Sequence, residues 1–182
     1  MVDFLKRLFR RDDPAKTDAQ RIYRAIMEQA RQPDFYGNGK AIDNYDGRID
    51  ILTLHLSTIL HALNGFDEQG KRLSQAIYEV MREDFDIALR EEGLSDTGVM
   101  KRIKPMISLF YTRIKSYTDA FEADNSQNQL MLSLQAGLLK ELNGSAFAEK
   151  LSLYIIKLRQ NMDNKSLGQL ALVDFDFPVL KF

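Results

Sequence analysis

The chain has no cysteine and only two histidines in 182 residues. The first absence excludes disulfides, thiolate metal sites and thiol nucleophiles together, and it fits a reducing compartment. The second leaves little for metal chemistry. His55 and His61 stand six apart on one predicted helix and so point to different sides, whereas a helical metal pair needs a spacing of three or four. No window approaches the roughly 20 consecutive apolar residues that span a bilayer. A glycine-rich phosphate loop is missing, because Gly37 and Gly39 precede no basic-hydroxyl pair and do not stand between strand and helix. A serine nucleophile motif is missing too. These absences predict a protein with no catalytic residues, no cofactor and no metal, and the absence of a strand-like alternation predicts an all-α fold.

What is there is hydrophobicity at helical period. With 45% hydrophobic residues the chain can build one domain with a substantial core, and two domains would be crowded. The expectation is a single-domain bundle of about six to seven helices. Residues 1–16 form a basic amphipathic segment and 17–182 the helical domain. If the first segment is helical, Phe4, Leu5, Leu8 and Phe9 make one apolar stripe beside Lys6, Arg7, Arg10 and Arg11. Burying four such side chains is worth at most about 6–12 kcal/mol, so the stripe suits either peripheral contact with an anionic membrane or docking on the protein's own core. A peripheral position on the inner face of the membrane, in an otherwise cytoplasmic protein, is the corresponding expectation.

Asp12-Asp13-Pro14 breaks that segment, and Thr17 with Gln20 has the pattern of a capping box opening the next helix. Its apolar row of Ile22, Ile26, Met27 and Ala30 should stop before Pro33. A loop follows, pinned by Phe35, Tyr36 and Tyr45. The next helix begins near Gly47 and carries Ile49, Leu52, Leu56, Ile59, Leu60 and Leu63 until Asn64-Gly65. Further helices are predicted over about 68–92, with Gly93 as the stop, and from about Val99 to Phe121, where Pro105 imposes a kink or a break. Two more, about 127–142 and 146–162, and a turn around 166–172 complete the list.

Charge is distributed unevenly over these helices although the chain is almost neutral. Glu79 to Glu92 holds six carboxylates and two arginines, whereas Thr97 to Thr118 holds Lys101, Arg102, Lys104, Arg113 and Lys115 and no acid. Neighbouring helices polarised in this way offer a field to a macromolecular partner. The alternative is a solvated face that pairs internally with the acidic helix before it. Asp84 and Asp86 diverge on a helix and are predicted as solvated charge or partner contacts, not metal ligands. Aromatic residues do not interleave with the basic ones as in RNA readers, and no DNA partner is expected.

Tyr36, the run Asp46-Gly47-Arg48 with Leu52, Leu54 and His55, then Ser74-Gln75-Ala76, Met81, Asp84, Asp86, Leu89-Arg90-Glu91, Gly93, Asp96, Gly98-Val99, Lys101-Arg102, Lys104, Phe110-Tyr111, Arg113 and Tyr117 form an ordered combination. It resembles the ubiquinol-cytochrome c reductase assembly chaperone family over roughly 36–121. The resemblance implies an all-helical, non-catalytic protein that assists biogenesis of cytochrome b or another subunit of respiratory complex III. It also implies contacts near the ribosome exit and a small second chaperone subunit, both features of mitochondrial members. The lack of a long transit-like leader points to a bacterial-type member. In that light Asp46 and Arg48 brace the start of the second helix, His55 is a buried polar anchor, and the two aspartates with the basic set form the partner face. Two other classes fit the composition: an adaptor for a different membrane complex, and an enzyme or carrier for an apolar ligand such as a quinone or haem, which would need a deep cavity with converging polar groups.

Overall fold

The first described helix, α1 (Pro14–Ala30), starts four residues before the point that a capping box of Thr17 and Gln20 predicts. Asp13 is the cap: its carboxylate accepts from the Ala15 amide at 3.1 Å, and Pro14 takes the first helical position, where a missing N–H costs nothing. The proline that breaks the preceding segment therefore also opens this helix. The computed structural model describes residues 13–139 and 145–180, and Phe4, Leu5, Leu8 and Phe9 lie outside them.

Among the described residues six further α-helices follow: α2 (Tyr45–Leu63), α3 (Asp67–Glu91), α4 (Asp96–Glu122), α5 (Ser126–Ala136), α6 (Ser145–Met162) and the short α7 (Leu167–Ala171). Among the described residues there is no strand, only an isolated bridge between Tyr36 and Ala41. The fold is an all-α bundle in one domain. Helix α5 ends at Ala136, short of the predicted 142, and Gly137 follows it with the Arg113 guanidinium lying where a β-carbon would stand.

Helix α2 is the axis of the bundle, in contact with α1, α3, α4 and α6. Residues 51–59 are all buried, so this is not the one-sided helix that its row of leucines and isoleucines predicts. A helix surrounded by others must bury its polar side chains as well. It satisfies them locally: Thr53 donates to the Ile49 carbonyl at 2.8 Å, and Ser57 and Thr58 donate to that of Leu54 at 2.7 and 3.0 Å. Helix α1 packs chiefly on α3, α4 on α2 and α5, and α5 on α6. The acidic α3 and the basic α4 thus share a short seam and otherwise lean on different neighbours.

The loop between α3 and α4 shows why that seam is short. Gly93 adopts φ +86°, its amide bonds the Arg90 carbonyl at 2.9 Å, and the Leu94 amide reaches back to Leu89 at 3.2 Å. This is a glycine-terminated helix end that turns the chain sharply. Ser95 then accepts from the Gly98 amide to begin α4. Beyond α7 the tail packs back: the Phe175 and Phe177 rings meet at 5.4 Å, Phe177 lies 6.5 Å from His55, and Pro178 and Leu180 are buried.

Candidate functional site

The fold divides the five cations of the basic helix into two groups. Arg113 points inward and pairs with Asp50 of α2 at 3.3 Å, the two side chains being only 19% and 15% exposed. Desolvation raises the Asp50 carboxyl above its ordinary value even though Arg113 acts to lower it. Arg113 is therefore a structural ion pair, and the expectation that it lies on an outer contact face is corrected. Its helical position, on the side of α4 that meets α2 and α5, is the reason.

Arg102 lies on that same side. Its guanidinium stands over the Tyr45 ring at 5.9 Å, which ties α4 to the start of α2 while leaving the charge exposed. Lys115 pairs with Asp119 one turn ahead at 2.7 Å, an exposed bond of small worth. Lys101 and Lys104 are exposed, and among the described residues neither joins an ion pair.

The acidic helix does not neutralise them. Glu83 pairs with Lys16 of α1 at 3.2 Å, and Asp84 accepts the Tyr23 hydroxyl at 2.8 Å. Asp86 pairs with Arg90 at 2.6 Å, and Arg90 also holds Asp96 at the head of α4, so hydrogen bonds to both carboxylates raise the guanidinium's pKa. Asp84 thus faces α1, half-buried and engaged. Among the described residues, ion pairing between the acidic and basic helices is confined to the Arg90–Asp96 contact at the turn.

Between α3 and α4 runs an open groove of about 340 Å³ lined by Arg82, Glu83, Asp86, Ile87 and Ile103. Ile87 is 54% exposed, and Met100, one turn before Ile103, is 62% exposed. Large apolar side chains between charged flanks are a surface that a partner can cover. The helical pattern passed over them because Ile87 and Met100 stand off the buried rows. Their misfit to those rows was the available signal.

The structural candidates resolve differently. The start of α2 is braced by Asn44, which accepts from the Gly47 amide at 2.8 Å, and by Arg48, which pairs with Asp43 at 2.7 Å and lies over the Tyr36 ring at 6.0 Å. Asp46 is exposed in the first turn, where its charge favours the helix dipole, and makes no ion pair among the described residues. His55 is 1% exposed. Its Nδ1 lies 2.8 Å from the Ile51 carbonyl, which can only accept, so that nitrogen carries the proton. Its Nε2 then accepts the Tyr154 hydroxyl at 2.9 Å, and that oxygen accepts from Gln29 at 3.1 Å. Burial pushes the imidazole down to about 4. The histidine joins α2 to α6 and α1 as a neutral, fully bonded group.

Among the described residues no cluster of three or more histidine, aspartate or glutamate side chains could hold a metal, and no helix is long and apolar enough to cross a membrane. No curated protein sequence matches the chain significantly. The crystal structure of the Cbp3 homolog from Brucella abortus is similar to it, with a TM-score of 0.79 and 30% sequence identity over 99% of this chain and 98% of that one. The family model described as ubiquinol-cytochrome C chaperone matches residues 40–177, which runs from the brace at the start of α2 to the phenylalanines of the tail. The chain belongs to the ubiquinol-cytochrome C chaperone family.

Proposed function

We propose that this protein assists assembly of respiratory complex III by binding newly made cytochrome b, or a subunit that joins it early. The observation that carries this reading is the family match, which covers helices α2 to α7 and not a short motif. The surface is of the required kind: Ile87 stands exposed in the groove beside Glu83 and Asp86 of α3, and Met100, Lys101 and Lys104 are exposed in one run of α4. Apolar contact supplies affinity to a client that has not yet found its partners, and unpaired charge supplies orientation and a fast encounter. Approach to the ribosome exit and peripheral membrane contact through Phe4, Leu5, Leu8 and Phe9 belong to the same proposal.

Deleting the protein from its source cell tests this. Assembled complex III and its spectroscopically detected b haems should fall together, while the other respiratory complexes keep their levels. Normal amounts of assembled cytochrome b in the deletion strain would sink the reading.

A further inference from the structure

Where the end of α1, the following loop and the start of α2 meet, a cavity of about 180 Å³ opens to solvent. Met27, Leu52 and Phe85 are among the residues of its floor, and Arg31, Tyr45 and Arg48 stand in its wall. We propose that this cavity seats one large apolar side chain of a partner protein whose adjoining residue carries a carboxylate. The proposal rests on the chaperone reading and names the chemistry of one contact.

Size sets the first limit. Pockets for drug-sized ligands run from about 300 to 1,000 Å³, and this one has room for about six waters at ~30 Å³ each. A haem or an isoprenoid quinone would not fit, and a long acyl chain would leave most of its carbons in water. A leucine or phenylalanine side chain fits.

Charge sets the second. The lining contains two guanidiniums, of Arg31 and Arg48, and no carboxylate. Asp43 pairs with Arg48 from outside the lining, and Glu92, Asp46 and Asp84 act on Tyr45 from outside it as well. Arg31, the residue that caps the end of α1, is exposed and joins no ion pair among the described residues. The Arg31 guanidinium at the mouth of an apolar hole favours an occupant with an anion one residue away from its apolar group.

The walls are held in place before anything binds. The Tyr36 hydroxyl donates to the Ala30 carbonyl, while Arg48 covers the Tyr36 ring at 6.0 Å and Arg102 the Tyr45 ring at 5.9 Å. Burial pushes the Tyr36 phenol up to about 12 and raises that of Tyr45, so both stay protonated donors. Tyr45 has only a 4.0 Å contact to the Met106 sulfur, a weak acceptor that a carboxylate would displace. Preorganised walls lower the ordering cost of binding.

The test uses the whole chain, labelled with 15N, titrated with N-acetyl-Phe-Glu-amide and with its neutral twin N-acetyl-Phe-Gln-amide. Amide shifts should centre on the cavity, and the acidic peptide should bind about two- to fivefold more tightly, the scale of one partly exposed charge pair. Arg31→Gln should bring it to the level of the neutral peptide, and Ala88→Leu, which fills the cavity, should abolish binding of both. Equal affinities, shifts elsewhere or none would overturn the proposal. So would binding to phosphatidylglycerol vesicles that needs Arg31 and is not competed by the acidic peptide, because the occupant would then be a lipid. Capture of a complex III subunit separates the two readings. Full capture by both folded variants overturns the cavity alone, whereas no capture by the unaltered chain overturns the chaperone reading and the cavity's role with it.

Discussion

His55 shows how far one side chain ties stability to pH. The unfolded chain takes up its proton near pH 6.5, whereas the folded chain holds the ring neutral down to about 4. Stability is therefore complete above 6.5, falls across that window and levels off below it, by about 3 kcal/mol at ~1.4 kcal/mol per pH unit. His61, also lowered by burial, acts in the same direction. Asp50 acts against both, since its raised carboxyl takes a proton more readily in the folded state as the pH drops. Thermal midpoints measured from pH 7 to 4 should fall, and His55→Gln should flatten the fall while lowering the midpoint at pH 7. An unchanged slope in that variant would move the pH dependence to another group.

At the scale of elements, close approach decides more than helix propensity. Gly70 lies in the first turn of α3, where an added β-carbon would stand 2.0 Å from the Leu63 carbonyl oxygen at the end of α2. Alanine is the better helix former by about 1 kcal/mol, but overpacking a rigid backbone contact costs about 1–3 kcal/mol and wins here. Gly70→Ala should lower the thermal midpoint by roughly 5 °C, with a melt followed by circular dichroism as the check. A midpoint that rose would mean that the corner between α2 and α3 gives way freely. Pro105 shows the opposite tolerance: α4 runs through it without a break. The hydrogen bond it forfeits would have gone to the Lys101 carbonyl, and both residues are exposed, so water can serve that oxygen.

For the whole molecule, the question is which charges are free to meet a partner. Lys101 and Lys104 are exposed on the helix that supplies Ile103 to the groove, whereas Arg113 is spent on Asp50. Replacing both lysines with glutamate should weaken capture of the client and reduce its salt dependence, and it should change stability by no more than about 0.5 kcal/mol. Arg113→Ala should do the reverse, costing about 3 kcal/mol by stranding a half-buried carboxylate. Capture assays and chemical melts on the two variants decide between them. Undiminished capture by the folded lysine variant would move the contact away from α4.

The all-α class, the number of helices and most of their ends follow from local order alone: apolar residues three and four apart, Gly93 where a left-handed residue is needed, and Asn64-Gly65 after the last leucine of α2. The ordered residues from Tyr36 to Tyr117 were likewise enough for the family, because that information lies in identity and spacing. Helix partners were not available from them. Arg113 and Lys115 look alike in the chain, and only the packing of α4 on α2 and α5 turns one toward Asp50 and leaves the other in water. The same holds for Asp84 with Tyr23, for the burial of residues 51–59 of α2 on every side, and for a cavity assembled from residues between Met27 and Ala88. Helical period says which residues share a face; which neighbour meets that face depends on contacts distant along the chain, and those exist only once the bundle has closed.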